Sequence, residues 1–143
     1  MPVFEDRVGQ RVQGKVAQLL IDNHIKSVIL AGGALLREYG DLDFYPTVEH
    51  KEPFDALVKA QKRITKNSAS IIVDGQLVQL CRYFKEKPED LIASFDYTHC
   101  QIAALIKFSD GPMEITILKT SGFSEAMESE GPAFTGSEYP LAS

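Results

Sequence analysis

The sequence predicts an α/β (α+β) domain in which a mixed β-sheet is flanked by helices. Three observations carry this. Helical apolar stripes alternate with short β-branched and apolar runs along the 143 residues. The pair Asp74-Gly75 separates two such runs, a strong hairpin signal. The pair Gly32-Gly33 stands between an apolar run and a stretch that alternates acid with bulky residue, Asp41-Leu42-Asp43-Phe44.

Taken in order, residues 5–24 carry Val8, Val12, Val16, Leu19 and Leu20 at helical spacing. Ser27-Val28-Ile29-Leu30-Ala31 reads as a buried strand that runs into the glycines. A short helix is expected over 33–38, and a strand over 42–45 that Pro46 prevents from continuing. Residues 52–63 have the apolar spacing of a helix. Residues 70–73 and 77–84 form the hairpin strands, and a short helix at 87–93 leads toward Asp96. Residues 102–108 and 113–118 pair across the turn-rich Ser109-Asp110-Gly111-Pro112. From Thr120 onward apolar periodicity disappears among Gly, Ser, Glu and Pro. The division expected is a head domain over 1–119 and an irregular C-terminal tail over 120–143.

Composition excludes several classes. The net charge is −5, so broad attraction to nucleic acid, which normally shows as a basic face, is not expected. No run approaches the roughly 18 apolar residues of a membrane span, and the first residues lack the apolar core of a signal peptide. Cys81 and Cys100 are too few for a disulfide scaffold and read as reduced thiols of a cytoplasmic protein that does not enter a membrane. The three histidines and two cysteines lack zinc-ligand spacing.

Asp41 and Asp43 are separated by one residue. On a strand both carboxylates then face one way and Leu42 and Phe44 the other. Two carboxylates sharing a space repel unless a cation sits between them. Hard oxygen ligands suit Mg²⁺ or Mn²⁺, and Mg²⁺ is commonly held by one or two carboxylates together with substrate phosphates. Glycines such as Gly32 and Gly33 let a backbone approach a phosphate closely. These parts describe a metal-assisted phosphoryl-transfer site.

The arrangement resembles the nucleotidyltransferase superfamily of DNA polymerase beta, poly(A) polymerases and CCA-adding enzymes, which carries a strand, a glycine pair, a short helix and Asp-x-Asp on the next strand. A second stretch, Pro88-Glu89-Asp90-Leu91 through Phe95-Asp96-Tyr97-Thr98, resembles the segment of CCA-adding enzymes that ends in Asp-Phe-Thr. The resemblance covers about residues 25 to 108. It implies a nucleotidyltransferase-like fold and a minimal stand-alone head. It also implies transfer of a nucleoside monophosphate from a nucleoside triphosphate, with Mg²⁺ or Mn²⁺ at Asp41 and Asp43 as metal-binding and catalytic residues. Gly32, Gly33, Arg37 and Asp96 are the implied nucleotide-binding residues. The acceptor stays open among RNA, protein and small molecule. The chain departs from the pattern in three places. Leu36 stands where an arginine is usual, with Arg37-Glu38 one residue late. Ser94-Phe95 replace an arginine pair. The later strand that often brings a third carboxylate offers Gln79. These departures keep a second reading open, an inactive nucleotide-binding or interaction module of the same fold.

Each residue also has a plain structural reading. The glycines could only end a strand, and the two aspartates could be solvated. Asp96 is weighed equally as a brace bonding backbone amides and as a nucleotide contact. Arg82 is a phosphate candidate or a solvated surface residue, His99 reads as structural and Asp74 as a turn residue. Lys59, Lys62, Arg63 and Lys66 form a basic cluster read as a solvated face near a helix end.

Overall fold

The computed structural model describes residues 3–37, 39–109 and 112–130. Helices α1 (Val3–Val12) and α2 (Lys15–Asp22) precede strand β1 (Ser27–Ala31), the one-turn α3 (Gly33–Leu36) and β2 (Leu42–Pro46). Helix α4 (Lys51–Lys59) leads to β3 (Arg63–Ile64), β4 (Ser68–Val73) and β5 (Gln76–Cys81). Helix α5 (Pro88–Ala93) and a 3₁₀ turn (Thr98–Cys100) precede β6 (Ile102–Lys107), β7 (Glu114–Lys119) and α6 (Ser121–Glu130). The seven strands form one mixed sheet in the order β3-β4-β5-β2-β1-β6-β7.

Strand β1 is buried at every residue, because it is central in order and covered on both faces. It pairs antiparallel with β2 (Ile29 opposite Tyr45) and with β6 (Ile29 opposite Leu105). Val28 and Leu30 join the larger core, where α1, α2 and α4 contribute Val8, Leu20 and Phe54. Ile29 and Ala31 alternate to the other face and pack with Leu91 and Ile92 of α5. Strand β2 follows the same rule: Leu42 and Phe44 are fully buried, while Asp43 and Tyr45 are half-buried on the opposite face.

The expected strand, glycine pair, short helix and strand are all present, and so is the hairpin. Asp74 and Gly75 both have positive φ, 52° and 83°, the backbone that a two-residue hairpin turn requires. Three expectations need correction. The single stripe over 5–24 is two helices broken at Gly14. The two-residue β3 replaces the end of the expected helix over 52–63, pairing Arg63 with Ser70. The tail expected from Thr120 begins instead with α6, whose Phe123 is 1 % exposed and meets Phe4 ring to edge at 6.3 Å. Burying one aromatic ring outweighs the weak helical periodicity of the segment. The rest of the expected tail, 131–143, lies outside the described residues. Among the described residues no helix is long and apolar enough to cross a membrane.

Phe123→Ala is expected to destabilise the protein by about 3–5 kcal/mol, the usual cost of truncating a buried aromatic residue. Urea unfolding measures this. A loss below about 1 kcal/mol would return α6 to the status of a loose tail.

Candidate functional site

Strand β1 ends at Ala31, and the chain must then turn sharply above a fully packed sheet. Gly32 makes that turn with φ 71° and ψ −131°, a conformation that other residues adopt only under strain. Its N–H donates to Ile102 O at 3.0 Å, which anchors the turn to β6. The glycine pair opens on a cleft of about 520 Å³, within the range of small-molecule sites. Asp43, Tyr45, Phe95 and Asp96 also line it.

Asp43 lies on the cleft face of β2. Burial raises its pKa above the ordinary carboxylate value, and the charge of Asp41 adds to the rise. Asp41 stands one residue before the strand, is exposed and is not among the residues that line the cleft, although its charge reaches Asp43. Neither carboxylate has a hydrogen bond or ion pair among the described residues. Two neighbouring acids without a cationic partner in contact, one of them half-desolvated, are a donor set that fits a divalent cation. Among the described residues no group of three or more His, Cys, Asp or Glu is disposed to hold a metal. Among the described residues, a cation placed there would find at most this pair of protein carboxylates.

Arg37 lies beside the glycine corner. A Cβ on Gly33 would fall 2.6 Å from its Nη2, so the guanidinium occupies the space that a side chain at 33 would need. Arg37 has neither a side-chain hydrogen bond nor an ion pair among the described residues. Its charge is also felt by Arg11, whose pKa is lowered by burial first and then by Arg37, with Asp41 opposing. Arg11 is tied to the carbonyls of Tyr39 (3.2 Å) and Gly40 and to Gln76 Oε1 (3.2 Å), and Arg7 donates to Leu35 O at 2.9 Å. Arg7 thus holds α3 and Arg11 holds the loop between α3 and β2, while Arg37 has no bonded partner among the described residues.

The structure places the remaining candidates unevenly. Asp96 lines the cleft but is exposed, and its carboxylate bonds to no backbone amide among the described residues, so the bracing role is not what it does. Gln79 is the register partner of Asp43 on β5 and supplies a neutral amide there. Arg82 is exposed; its backbone N–H donates to Asn67 O at 2.8 Å. His99 stacks on Tyr97 with ring centroids 5.5 Å apart.

The aromatic lining has no clear mark in the sequence. Tyr45, Tyr83, Phe95 and Tyr97 surround the cleft, and Tyr45 meets Phe95 at 5.9 Å. Tyr45 alone carries a signal, because it alternates with Asp43 on the same face. Tyr45 and Cys81 share a side-chain hydrogen bond, and burial raises both of their pKa values, that of Cys81 to about 11. Both groups are neutral at physiological pH. Neither of them therefore adds a negative charge beside Asp43.

The raised pKa of Asp43 has a stability consequence. Below the ordinary carboxylate pKa both folded and unfolded states hold the proton, and Asp43 costs nothing. As pH rises, the unfolded chain ionises first, so the folded state binds more protons and loses stability. Asp43→Asn is expected to melt at a higher temperature than the wild type at pH 7, with a difference that shrinks as pH falls below about 4. Thermal melts in metal-free buffer across pH 3–8 check this. A lower melting temperature for the variant at pH 7 would contradict it.

No protein-family model matches the chain, and neither a curated protein nor a solved structure does.

Proposed function

We propose that the protein is a cytoplasmic, Mg²⁺- or Mn²⁺-dependent nucleotidyltransferase of the superfamily it resembles, moving a nucleoside monophosphate from a nucleoside triphosphate to an acceptor hydroxyl. One observation carries the reading: half-buried Asp43, with Asp41 beside it, faces the same cleft as a glycine corner flanked by Arg37, and among the described residues neither Asp43 nor Arg37 has a bonded partner. An acidic wall and a cationic corner across an aromatic cleft match a ligand that has a metal-bound polyphosphate and a flat ring.

In this reading Asp41 and Asp43 would hold the cation, which would supply neutralisation of phosphate charge. The open backbone at Gly32-Gly33 admits the triphosphate, and Arg37 balances the charge on the departing pyrophosphate. The acceptor oxygen bonds to the α-phosphorus as the bond from that phosphorus to the bridging oxygen breaks. The hydroxyl proton would leave to water or to a carboxylate oxygen that does not hold the cation. Tyr45 and Phe95 offer apolar faces to the nucleoside.

A second reading is favoured by one residue. The neutral Gln79 beside Asp43 suits a module that binds nucleotide without transferring it. Calorimetry with a panel of nucleoside triphosphates, with and without Mg²⁺, tests what the two readings share, and transfer of labelled nucleotide separates them.

Asp41→Asn and Asp43→Asn are each expected to lower transfer by at least about 10²-fold, the scale of removing one preorganised electrostatic interaction. Metal-dependent nucleotide binding should weaken in parallel. Full activity in Asp43→Asn would overturn the reading.

Gly33→Ala should displace the Arg37 guanidinium while changing folding stability by less than about 1 kcal/mol. Pyrophosphate affinity, read by calorimetry, is then expected to fall about tenfold, in line with the removal of one charge-assisted hydrogen bond. Unchanged affinity would remove Arg37 from the site.

A further inference from the structure

The two acids of the proposed metal site are held in different ways. Asp43 lies within β2, between β1 and β5, so the sheet sets its backbone direction. Asp41 precedes the strand and follows Gly40, whose φ is 99°. Glycine turns about its backbone bonds more freely than any other residue, so the local chain does not fix where Asp41 points. Among the described residues, Tyr39 and Gly40 take part in no backbone-to-backbone hydrogen bond.

Side chains from two other elements hold this loop. Arg11 of α1 donates from Nη1 to Tyr39 O at 3.2 Å and from Nη2 to Gly40 O. Gln76, the first residue of β5, donates from Nε2 to the same Gly40 O at 2.8 Å. The Gly40 carbonyl shares its peptide plane with the Asp41 nitrogen, so two donors on it fix that plane. The donors are also tied to each other, with Arg11 Nη2 3.2 Å from Gln76 Oε1. A guanidinium only donates. It therefore takes the amide oxygen and leaves the amide nitrogen to face Gly40 O and, at 2.9 Å, Leu77 O.

Topology explains why Gln76 is there. Strand β5 runs parallel to β2 with Leu42 opposite Val78, and the same register two residues earlier sets Gln76 beside Gly40. The Asp74-Gly75 turn returns the chain to that point. Along β5, Gln76 alternates onto the face of Val78 and Leu80, which are fully buried in the core that α1 covers. Arg11 reaches it from that side. Neither Arg11 nor Gln76 lines the cleft, so the loop is gripped from the helical face of the sheet.

We infer that Arg11 and Gln76 are the positioning residues of Asp41, presetting its carboxylate beside Asp43 so that a divalent cation meets an ordered pair. The inference rests on the proposed metal site and deepens it. The sign of the effect separates position from charge. Arg11 and Asp41 feel each other's charge. Acting through charge alone, the guanidinium would repel a cation, and its loss would tighten binding. Acting through position, its loss weakens binding, because the loop must then be ordered as the cation arrives.

The test uses the full chain without nucleotide. Nitrogen-15 relaxation in metal-free buffer reads the loop, and broadening of amide signals around Asp43 by Mn²⁺ alone reads the site. In Gln76→Ala the amide order parameters of Gly40 and Asp41 should fall from about 0.85, the value of rigid backbone, to about 0.6 or below. The Mn²⁺ dissociation constant should rise about tenfold, the scale of ordering one residue's backbone on binding. Arg11→Met keeps the apolar stem and should also loosen the loop, which keeps the test open should Gln76→Ala fail to fold. Arg7→Met removes the same charge from the same helix but frees α3 instead. It should leave Gly40 and Asp41 ordered and bind Mn²⁺ more tightly than Arg11→Met does. In an Asp41→Asn background, Gln76→Ala should cost no further Mn²⁺ affinity. Unchanged order at Gly40 and Asp41 in either loop variant would overturn the inference. So would unchanged Mn²⁺ affinity in Gln76→Ala, affinity no lower in Arg11→Met than in Arg7→Met, or an equal further loss in the Asp41→Asn background. Lost loop order in a protein whose wild type takes up no Mn²⁺ would sink the metal reading and leave the hold on Asp41 standing.

Discussion

Strand β1 constrains most of what surrounds it. Its five residues are buried on both faces, held between β2 and β6, and packed against helices on one side and α5 on the other. Such a strand cannot bend or slip without moving both cores, because a shift of one residue would exchange the faces of Val28 and Ile29. The chain must therefore leave it at one fixed point, and Gly32 makes that exit in a backbone conformation that a side chain would strain. The cleft lies where it does because the turn after β1 is rigid from below and open above. The other end of β1 is fixed by polar contacts: the Ser27 hydroxyl meets Thr47 at 2.9 Å and His50 Nδ1 at 2.7 Å, which ties the end of β2 to the start of α4. Ser27 and Thr47 are the two buried polar residues of the core, and the bond between them satisfies both.

The cleft shows the opposite arrangement. Asp43 is half-desolvated beside a second acid and has no bonded partner, so its charge works against folding. Arg37 is left without a bonded partner while its neighbours Arg7 and Arg11 are tied to backbone carbonyls. The pattern separates two jobs: Arg7 and Arg11 hold α3 and the loop after it, while Asp43 on the cleft face and Arg37 beside Gly33 have no bonded partner among the described residues. Groups with a strongly perturbed pKa cluster at functional sites, and the burial of Asp43 beside a second acid is such a case. Tyr45 and Cys81 sharpen the contrast, because their neutral hydroxyl and thiol satisfy one another and surround Asp43 without neutralising it.

Much of this was legible in the sequence. The apolar run into Gly32-Gly33 and the alternation of Asp43 with Leu42 and Phe44 are local signals with one structural solution each. Asp74-Gly75 dictated its hairpin in the same way. The failures have equally local causes. The apolar stripe of α1 continues through α2, since Val8, Val12, Val16 and Leu20 all enter the same core, so periodicity alone could not reveal the break at Gly14. Strand β3 is two residues long and exists because β4 offers it an edge, a tertiary cause that no window of sequence contains. Helix α6 rests on Phe123 in a segment otherwise rich in Ser, Gly and Glu. At the site, the acids were visible because charge at period two is rare. The aromatic wall was not, because Phe95 and Tyr97 come from the loop after α5 and reach Tyr45 only through the fold.

Net charge was the least informative quantity in the sequence, and the reason is geometric. A single total averages over surfaces that no partner meets together. Attraction between exposed charges fades over about 8–10 Å at ordinary salt, so any charged group responds to the charges within that distance and not to the whole chain. Asp43, Gln79, Ser70 and Arg63 are successive register partners, and the row from Asp43 to Arg63 runs roughly 14 Å across the sheet. Arg63 and Asp43 are therefore largely screened from one another, and the two ends of the row can have opposite signs without cancelling. The polar, uncharged Ser70 and Gln79 between the two ends keep the gradient from being interrupted by another fixed charge.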